Sequence, residues 1–404
     1  MDITVRPATQ EELPAVFRAL VRGFGDDPEP DDRDGERLWA VLPAERTVVA
    51  LDRDRMVGTL GDYDMRLVVP GGARVAMGGT TIITVAPTHR RRGVLRAMMA
   101  FHLDAVAGRG DPLAGLWASE TPIYGRFGYG CAADGVDYTF RGSHVVLPPP
   151  PDVTVELLDD DPIEVLPAVY ERVAGRPGTY ERTTEWWRNH TLRDDPHRRR
   201  GKSALRHAVA RRAGEGVGYV TYRQKQDWER VPEGTVSVQA LFAADTGVRR
   251  ALVSFVANID LYPKVTIWNQ PVDDPLVWEV ENRRELVSEV SDSIWIRIMD
   301  VPAALTARTY ETDGSIIVGI TDSTRPANTG AYELVVTGGP ARCSPTGAEP
   351  SVSMDIRELG ALYLGGRNAV TLQRAGLIEG TRFAVSHLDR LFRTVAAPWC
   401  PEIF

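Results

Sequence analysis

The sequence predicts a mixed α/β (α+β) architecture in three successive segments, and three observations carry that expectation. Short alternating strand patterns are interleaved with 3.6-residue helical patterns from the amino terminus onward. A four-proline run at 148–151 can enter neither a helix nor a central strand, so it makes a stiff connector. A strand, turn and helix then recur in the same order on both sides of that run. At 404 residues the chain also exceeds what one hydrophobic core usually organises. The expected domains are 1–147, 152–288 and 289–404.

In the first segment residues 3–6 alternate as a strand. Thr9 with Glu12 then forms a capping-box signature ahead of the apolar-periodic Leu13, Val16, Phe17 and Leu20. After an acidic, proline-bearing loop at 26–36, strand-like runs at 47–51, 56–69, 74–77 and 80–85 read as an antiparallel meander. Residues 91–107 carry Val94, Leu95, Met98, Met99 and Leu103 at helical spacing, and 112–118 reads as the next strand. In the second segment 165–172 is helical, 211–223 is a hairpin pair, and 235–261 runs strand, turn, helix. Setting 82–99 beside 238–255 aligns the two copies. In the second, Ala243-Ala244-Asp245-Thr246-Gly247 replaces the basic glycine turn of the first. The third segment opens with a strand at 294–299, and Asp300 can cap a helix at 302–307. Further strands are expected at 315–321, 331–336 and 351–354, and helices at 356–364 and 386–391. The tail 397–404 is apolar and pinned by Pro398 and Pro401, where a chain end is ordinarily polar and mobile.

Composition narrows the function. Hydrophobic residues at 43% and charged residues at 25% are ordinary globular values that exclude wholesale disorder. A net charge of -8 argues against nucleic acid as the main partner and suits a cationic small molecule better. No apolar run is long enough to span a bilayer, and the first residues do not read as a secretion signal, so a cytoplasmic protein is expected. Three cysteines and seven histidines are scattered without paired spacing, so no metal site is expected.

Two motifs carry chemistry. Val85-Ala86-Pro87-Thr88-His89-Arg90-Arg91-Arg92-Gly93-Val94-Leu95 joins a strand end to a helix start through a short basic turn. Backbone N–H groups at a helix amino terminus are unpaired and carry the positive end of the helix dipole, so they can hold a pyrophosphate. Gly93 permits close backbone approach, and the three arginines add charge. Downstream, Ser119-Glu120-Thr121-Pro122-Ile123-Tyr124-Gly125-Arg126-Phe127-Gly128-Tyr129-Gly130 reads as a short helix entered through proline and closed by glycine. A phenol with an ordinary pKa of about 10 can protonate a thiolate leaving a thioester.

At this separation the two blocks resemble the GNAT superfamily of N-acetyltransferases, with Leu95 departing from the small residue usual at its position. The proline boundary, the altered second copy and the third segment make the whole chain similar to the enhanced intracellular survival (Eis) family. Pro87 onward to Leu95, the run from Ser119 to Gly130, the Trp186-Trp187 pair and the aromatic tail carry that likeness. The resemblance implies tandem GNAT-like domains with mixed central sheets flanked by helices, the second without its own cofactor turn, then a sterol-carrier-like domain. It implies a homohexamer using acetyl-CoA and acetylating amines of aminoglycosides or lysine side chains. Carried over by residue, Val85, Arg90, Arg91, Arg92, Gly93, Val94, Leu95 and Ser119 would hold acetyl-CoA. Tyr124 would be the general acid, and Phe404 would lend its terminal carboxylate.

A protonated amine has no lone pair, so a base is needed, and neither His89 nor His102 is well placed by sequence. The acidic loop containing Asp26 is either a polycation pocket or a solvated loop, and Trp39 is either an aromatic wall beside it or a core residue. Glu402 is grouped with the substrate residues, and the Trp186-Trp187 pair is read as packing. Direct transfer in a ternary complex is the expected mechanism. The rival is a non-catalytic acetyl-CoA sensor or lipid-binding protein, which would have no use for an acid and a base.

Overall fold

A computed structural model describes residues 3–25, 34–145 and 148–404. By contact the chain divides into two compact units. One comprises residues 1–133, 176–181 and 293–404, and the other 134–175 and 182–292.

The first unit opens with β1 (Ile3–Pro7) and α1 (Leu13–Phe24). The Thr9 amide donates to Glu12 at 2.9 Å, and Arg6 holds the same carboxylate at 2.7 Å, so the capping box also ties the strand to the helix. Next come α2 (Asp34–Val41), β2 (Thr47–Asp52), β3 (Arg55–Val68), β4 (Arg74–Val85), α3 (Val94–Gly108), β5 (Leu113–Trp117), α4 (Thr121–Tyr124) and β6 (Gly130–Cys131). β4 is continuous where two strands were expected. A Cβ on Gly78 would lie 2.6 Å from Asp62 Oδ1, and one on Gly79 would lie 2.5 Å from Met65 Sδ. The glycine pair therefore marks close packing in mid-strand, not a turn.

The second unit holds β7 (Asp134–Arg141), β8 (Val153–Leu157), α5 (Pro162–Val173), α6 (Thr184–Trp186), β9 (Arg206–Arg212), β10 (Glu215–Lys225), β11 (Thr235–Ala243), α7 (Thr246–Ala257), β12 (Lys264–Pro271), α8 (Leu276–Glu279) and β13 (Val287–Asp292). Its sheet order is β13-β7-β12-β11-β10-β9-β8. β7 precedes the proline run and lies within the expected first domain, 1–147, yet it pairs with β12 and β13. Trp186 and Trp187 are buried in this unit, Trp187 edge-on to Tyr170 at 5.6 Å.

The chain then returns to the first unit with β14 (Ile294–Ile298), which inserts between β5 and β6 and completes the order β1-β2-β3-β4-β5-β14-β6. α9 (Val301–Ala307) follows, capped by Asp300 accepting from the Ala303 amide at 2.8 Å. β15 (Gly314–Thr321), β16 (Gly330–Val336), β17 (Ala341–Thr346), β18 (Val352–Asp355) and β19 (Ile378–Gly380) form a separate five-stranded sheet. It is accompanied by α10 (Ile356–Leu362), α11 (Ala369–Arg374) and α12 (Arg382–Phe392).

Candidate active site

Hydrogen bonding alone opens a cleft in the first sheet. β4 and β5 are parallel and pair only where Met77, Gly78 and Gly79 face Leu113, Ala114 and Gly115. Beyond that point the two strands no longer pair with each other, though β4 continues along β3 to Val85 and β5 along β14 to Trp117. The divergence coincides with a distortion of β4. Ile82 has φ 45, the register with β3 slips between Thr59 and Gly61, and the Thr59 hydroxyl donates to the Ile82 carbonyl at 2.8 Å.

The parted strands lead into a cleft of about 1330 Å³ at the amino end of α3. Val85, Arg90, Arg91, Gly93, Val94 and Leu95 line it from the basic turn, and Ser119 and Tyr124 line it from the segment after β5. Gly93 is the N-cap of α3 at φ 84, in the left-handed region that favours glycine, and among the described residues no side chain caps the helix. Arg90, Arg91, Arg92 and Arg96 are exposed, and none makes an ion pair among the described residues. Arg92 belongs to the turn but not to the cleft lining. Leu95 is half-buried and packs on the core beneath α3.

Tyr124 is 5% exposed, and its ring stands edge-on to Tyr129 at 6.4 Å. Burial raises its phenol pKa above the ordinary 10.0, opposed by a hydrogen bond with the Ser119 side chain. The proton is therefore retained at neutral pH. Both histidines that sequence reasoning set aside prove to be buried. His89 Nε2 lies 3.1 Å from Asp52, and His102 Nε2 lies 2.8 Å from the Thr80 hydroxyl, which is itself 2.9 Å from the Tyr129 hydroxyl. Burial pushes His102 down to about 3, so it stays neutral.

The remaining expected residues lie elsewhere. Trp39 is half-buried on α2, and Asp26 lies outside the described residues. Phe404 is buried edge-on to Tyr180 at 5.9 Å, and the Tyr180 hydroxyl donates to Glu402 at 2.7 Å. The Trp117 indole N–H at the end of β5 donates to Cys400 Sγ at 3.3 Å, so the tail is anchored beside the strand that leads to Ser119. Neither Glu402 nor Phe404 is among the cleft-lining residues. Sequence reasoning missed Thr324 and Arg325, which join the lining from the loop after β15. Nothing in that loop's composition marks it.

A parted pair of parallel strands, an uncapped basic helix start and a buried phenol in one cleft define an acyltransferase of GNAT type. Residues 4–132 match the model of an acetyltransferase (GNAT) domain, 178–298 match a second acetyltransferase (GNAT) domain, and 301–401 match a sterol carrier protein domain. An uncharacterized N-acetyltransferase of Streptomyces avermitilis is 39% identical over 412 positions covering 100% of both chains. N-acetyltransferase Eis of Mycobacterium tuberculosis is 31% identical across 94% of each chain. The crystal structure of Eis1 from Mycobacterium abscessus matches with a TM-score of 0.86 at 32% identity, covering 99% of this chain and 100% of that one. The chain belongs to the Eis family of GNAT N-acetyltransferases, with two GNAT domains and a sterol-carrier-like third domain. Among the described residues no helix is long and apolar enough to cross a membrane.

Proposed function

We propose that this enzyme acetylates a primary amine, of an aminoglycoside or a lysine side chain, using acetyl-CoA bound in the first-domain cleft. One observation carries the reading: the unpaired amides at Gly93 and the buried Tyr124 phenol open onto the same cleft. The cleft suits that co-substrate. The amides after Gly93, with Arg90 and Arg91, offer donors and positive charge to a pyrophosphate, and the parting of β4 from β5 leaves the β5-facing edge of β4 open toward Val85 for an extended amide chain. When bound, acetyl-CoA supplies an activated acyl group as a thioester.

The protein's own groups do the rest. The cleft holds donor and acceptor together, so attack becomes effectively unimolecular. Tyr124 keeps its proton until negative charge develops on the leaving sulfur and then transfers it, while Ser119 fixes the hydroxyl. None of the three cysteines lines the cleft, and burial pushes Cys343 up to about 12, which supports direct transfer in a ternary complex over an acyl-thiol intermediate. In the same reading the Phe404 carboxylate attracts the ammonium and orients a water that takes its proton. With an unperturbed pKa of about 3.5 it is too weak to act as the base unaided. Asp26, Trp39 and Glu402 are assigned to the amine side, the enzyme is a homohexamer as the Eis likeness implies, and a cytoplasmic location follows the sequence expectation.

The test is thiol release from acetyl-CoA with the full chain against a panel of aminoglycosides, polyamines and lysine peptides. Amine-dependent release supports the reading. If acetyl-CoA binds but no amine accelerates release, the proposed substrate class is wrong.

A further inference from the structure

The cleft does not end at the basic turn. Arg96, Ala100, Leu103 and Asp104 line it as well, and this spacing of four, seven and eight residues continues its wall along one side of α3. At 1.5 Å per residue that wall runs about 12 Å from Arg96 to Asp104. Its far end is met by Ser323, Thr324 and Arg325 of the sterol-carrier-like domain.

The loop bearing Arg325 is rigidly built. Asp322, 2% exposed, accepts on Oδ1 from the amides of Thr324 and Arg325 at 3.2 and 2.9 Å and from the Thr324 hydroxyl at 3.0 Å. Its Oδ2 accepts from Asn328 at 3.0 Å and from Arg297 at 2.6 Å, and Arg297 belongs to β14 in the sheet that forms the cleft. A buried pair of this kind holds the loop's register on that sheet.

The Arg325 guanidinium itself is little engaged. Its Nε is buried with no hydrogen-bond partner among the described residues, and its ion pair is a 3.8 Å contact to Asp104, whose side chain is 83% exposed. Exposed pairs contribute little, and a buried unsatisfied N–H calls for a partner. An oriented, under-satisfied guanidinium in a cleft wall is suited to a phosphate.

We propose that Arg325 binds the 3′-phosphate on the adenosine end of acetyl-CoA, so that the third domain completes the co-substrate site of the first. This rests on the acetyl-CoA reading above. The helix start at Gly93 is suited to the pyrophosphate, and the ligand's remaining phosphate, carried on its ribose, needs a cation farther along the cleft, where Arg325 stands. Asp104 holds the guanidinium loosely until a phosphate displaces it.

The experiment is calorimetric titration of the full chain with coenzyme A and with 3′-dephospho-coenzyme A, in the unsubstituted protein, Arg325→Gln and Arg325→Lys. The unsubstituted protein should prefer coenzyme A by about ten-fold. Arg325→Gln should bring coenzyme A down to the affinity of the dephospho form, leave the latter unchanged, and keep the fold by circular dichroism. Arg325→Lys should recover part of the preference. Unchanged discrimination in Arg325→Gln, or an equal loss for both ligands, overturns the proposal. If the unsubstituted protein binds neither ligand, the acetyl-CoA reading itself fails. If it binds both equally, only the Arg325 assignment does.

Discussion

Two strand-to-helix joints, β4 to α3 in the first GNAT domain and β11 to α7 in the second, are built alike and finished oppositely. In each, a strand pairs in parallel with its neighbour over a short ladder and then parts from it while keeping its antiparallel partner on the other edge, β11 beyond Val238 as β4 does beyond Gly79. In the second domain the helix N-cap is Asp245, which accepts from the Val248 amide at 2.9 Å and pairs with Arg212 at 2.7 Å. Where β11 has parted from β12 it carries Phe242, which packs on Tyr170 and Tyr219, with Trp187 against both of these and the Arg182 guanidinium over Tyr170, Trp187 and Phe242. In the first domain Gly93 caps without a side chain. A carboxylate on helix amides stabilises by roughly 0.5–2 kcal/mol. One joint thus spends its helix dipole on its own fold, while the other leaves it to a ligand.

Exchanging the caps tests that contrast most severely. Gly93→Asp puts a carboxylate where a pyrophosphate is to bind, in a left-handed conformation that costs about 1–2 kcal/mol. Acetyl-CoA affinity should fall by about 10²-fold or more with the fold retained, as read by calorimetry and circular dichroism. Undiminished affinity would remove the α3 turn from the site.

Tyr124→Phe should lower turnover by about 10²-fold while leaving acetyl-CoA affinity nearly unchanged, because the missing proton matters in the transition state. Since burial raises the Tyr124 phenol, the rate profile should show no basic limb from this group below pH 10. Steady-state kinetics across pH, joined to a binding measurement, decides both.

The domains should match in acid sensitivity where they differ in ligand binding. His102 in the first is pushed down to about 3 and His207 in the second to about 4, both chiefly by burial. A histidine that stays neutral in the folded state while the unfolded chain takes up a proton below about 6.5 contributes stability that is present above that pH. It is lost as pH falls. Each should cost about 2 kcal/mol between pH 6.5 and 5, and His102→Gln and His207→Gln should each flatten the urea-midpoint profile. Profiles as steep as that of the unsubstituted protein would contradict this.

The smallest effect is expected at the second cap, where Asp245→Ala should cost about 1 kcal/mol in urea unfolding and leave turnover unaltered. A fall in turnover would mean that the second joint is more than structural.

Much of this contrast was legible in the sequence, because caps and turns are written in local chemistry. The Thr9–Glu12 capping box, the basic glycine turn and the substitution of Asp245 for it could all be read directly. Long-range exchange could not. β14 reads as an ordinary alternating strand and β7 lies within the expected first domain, and only tertiary pairing sends each to a sheet outside its expected segment. Gly78 and Gly79 read as a turn because the pattern cannot show that Asp62 and Met65 fill the space above them. Arg325 carried no signal, since its significance comes from Asp322 and Arg297 orienting a loop about 230 residues away from the α3 turn.

The most direct measurement is the stoichiometry of acetyl-CoA binding by calorimetry, in the unsubstituted chain and in Asp245→Gly, which frees the second helix start. The account predicts one site per chain in both, because the second joint also lacks the arginines of the first turn and its parted strand is packed with aromatic side chains. Two sites in the unsubstituted chain, or a single site that survives Gly93→Asp, would contradict it.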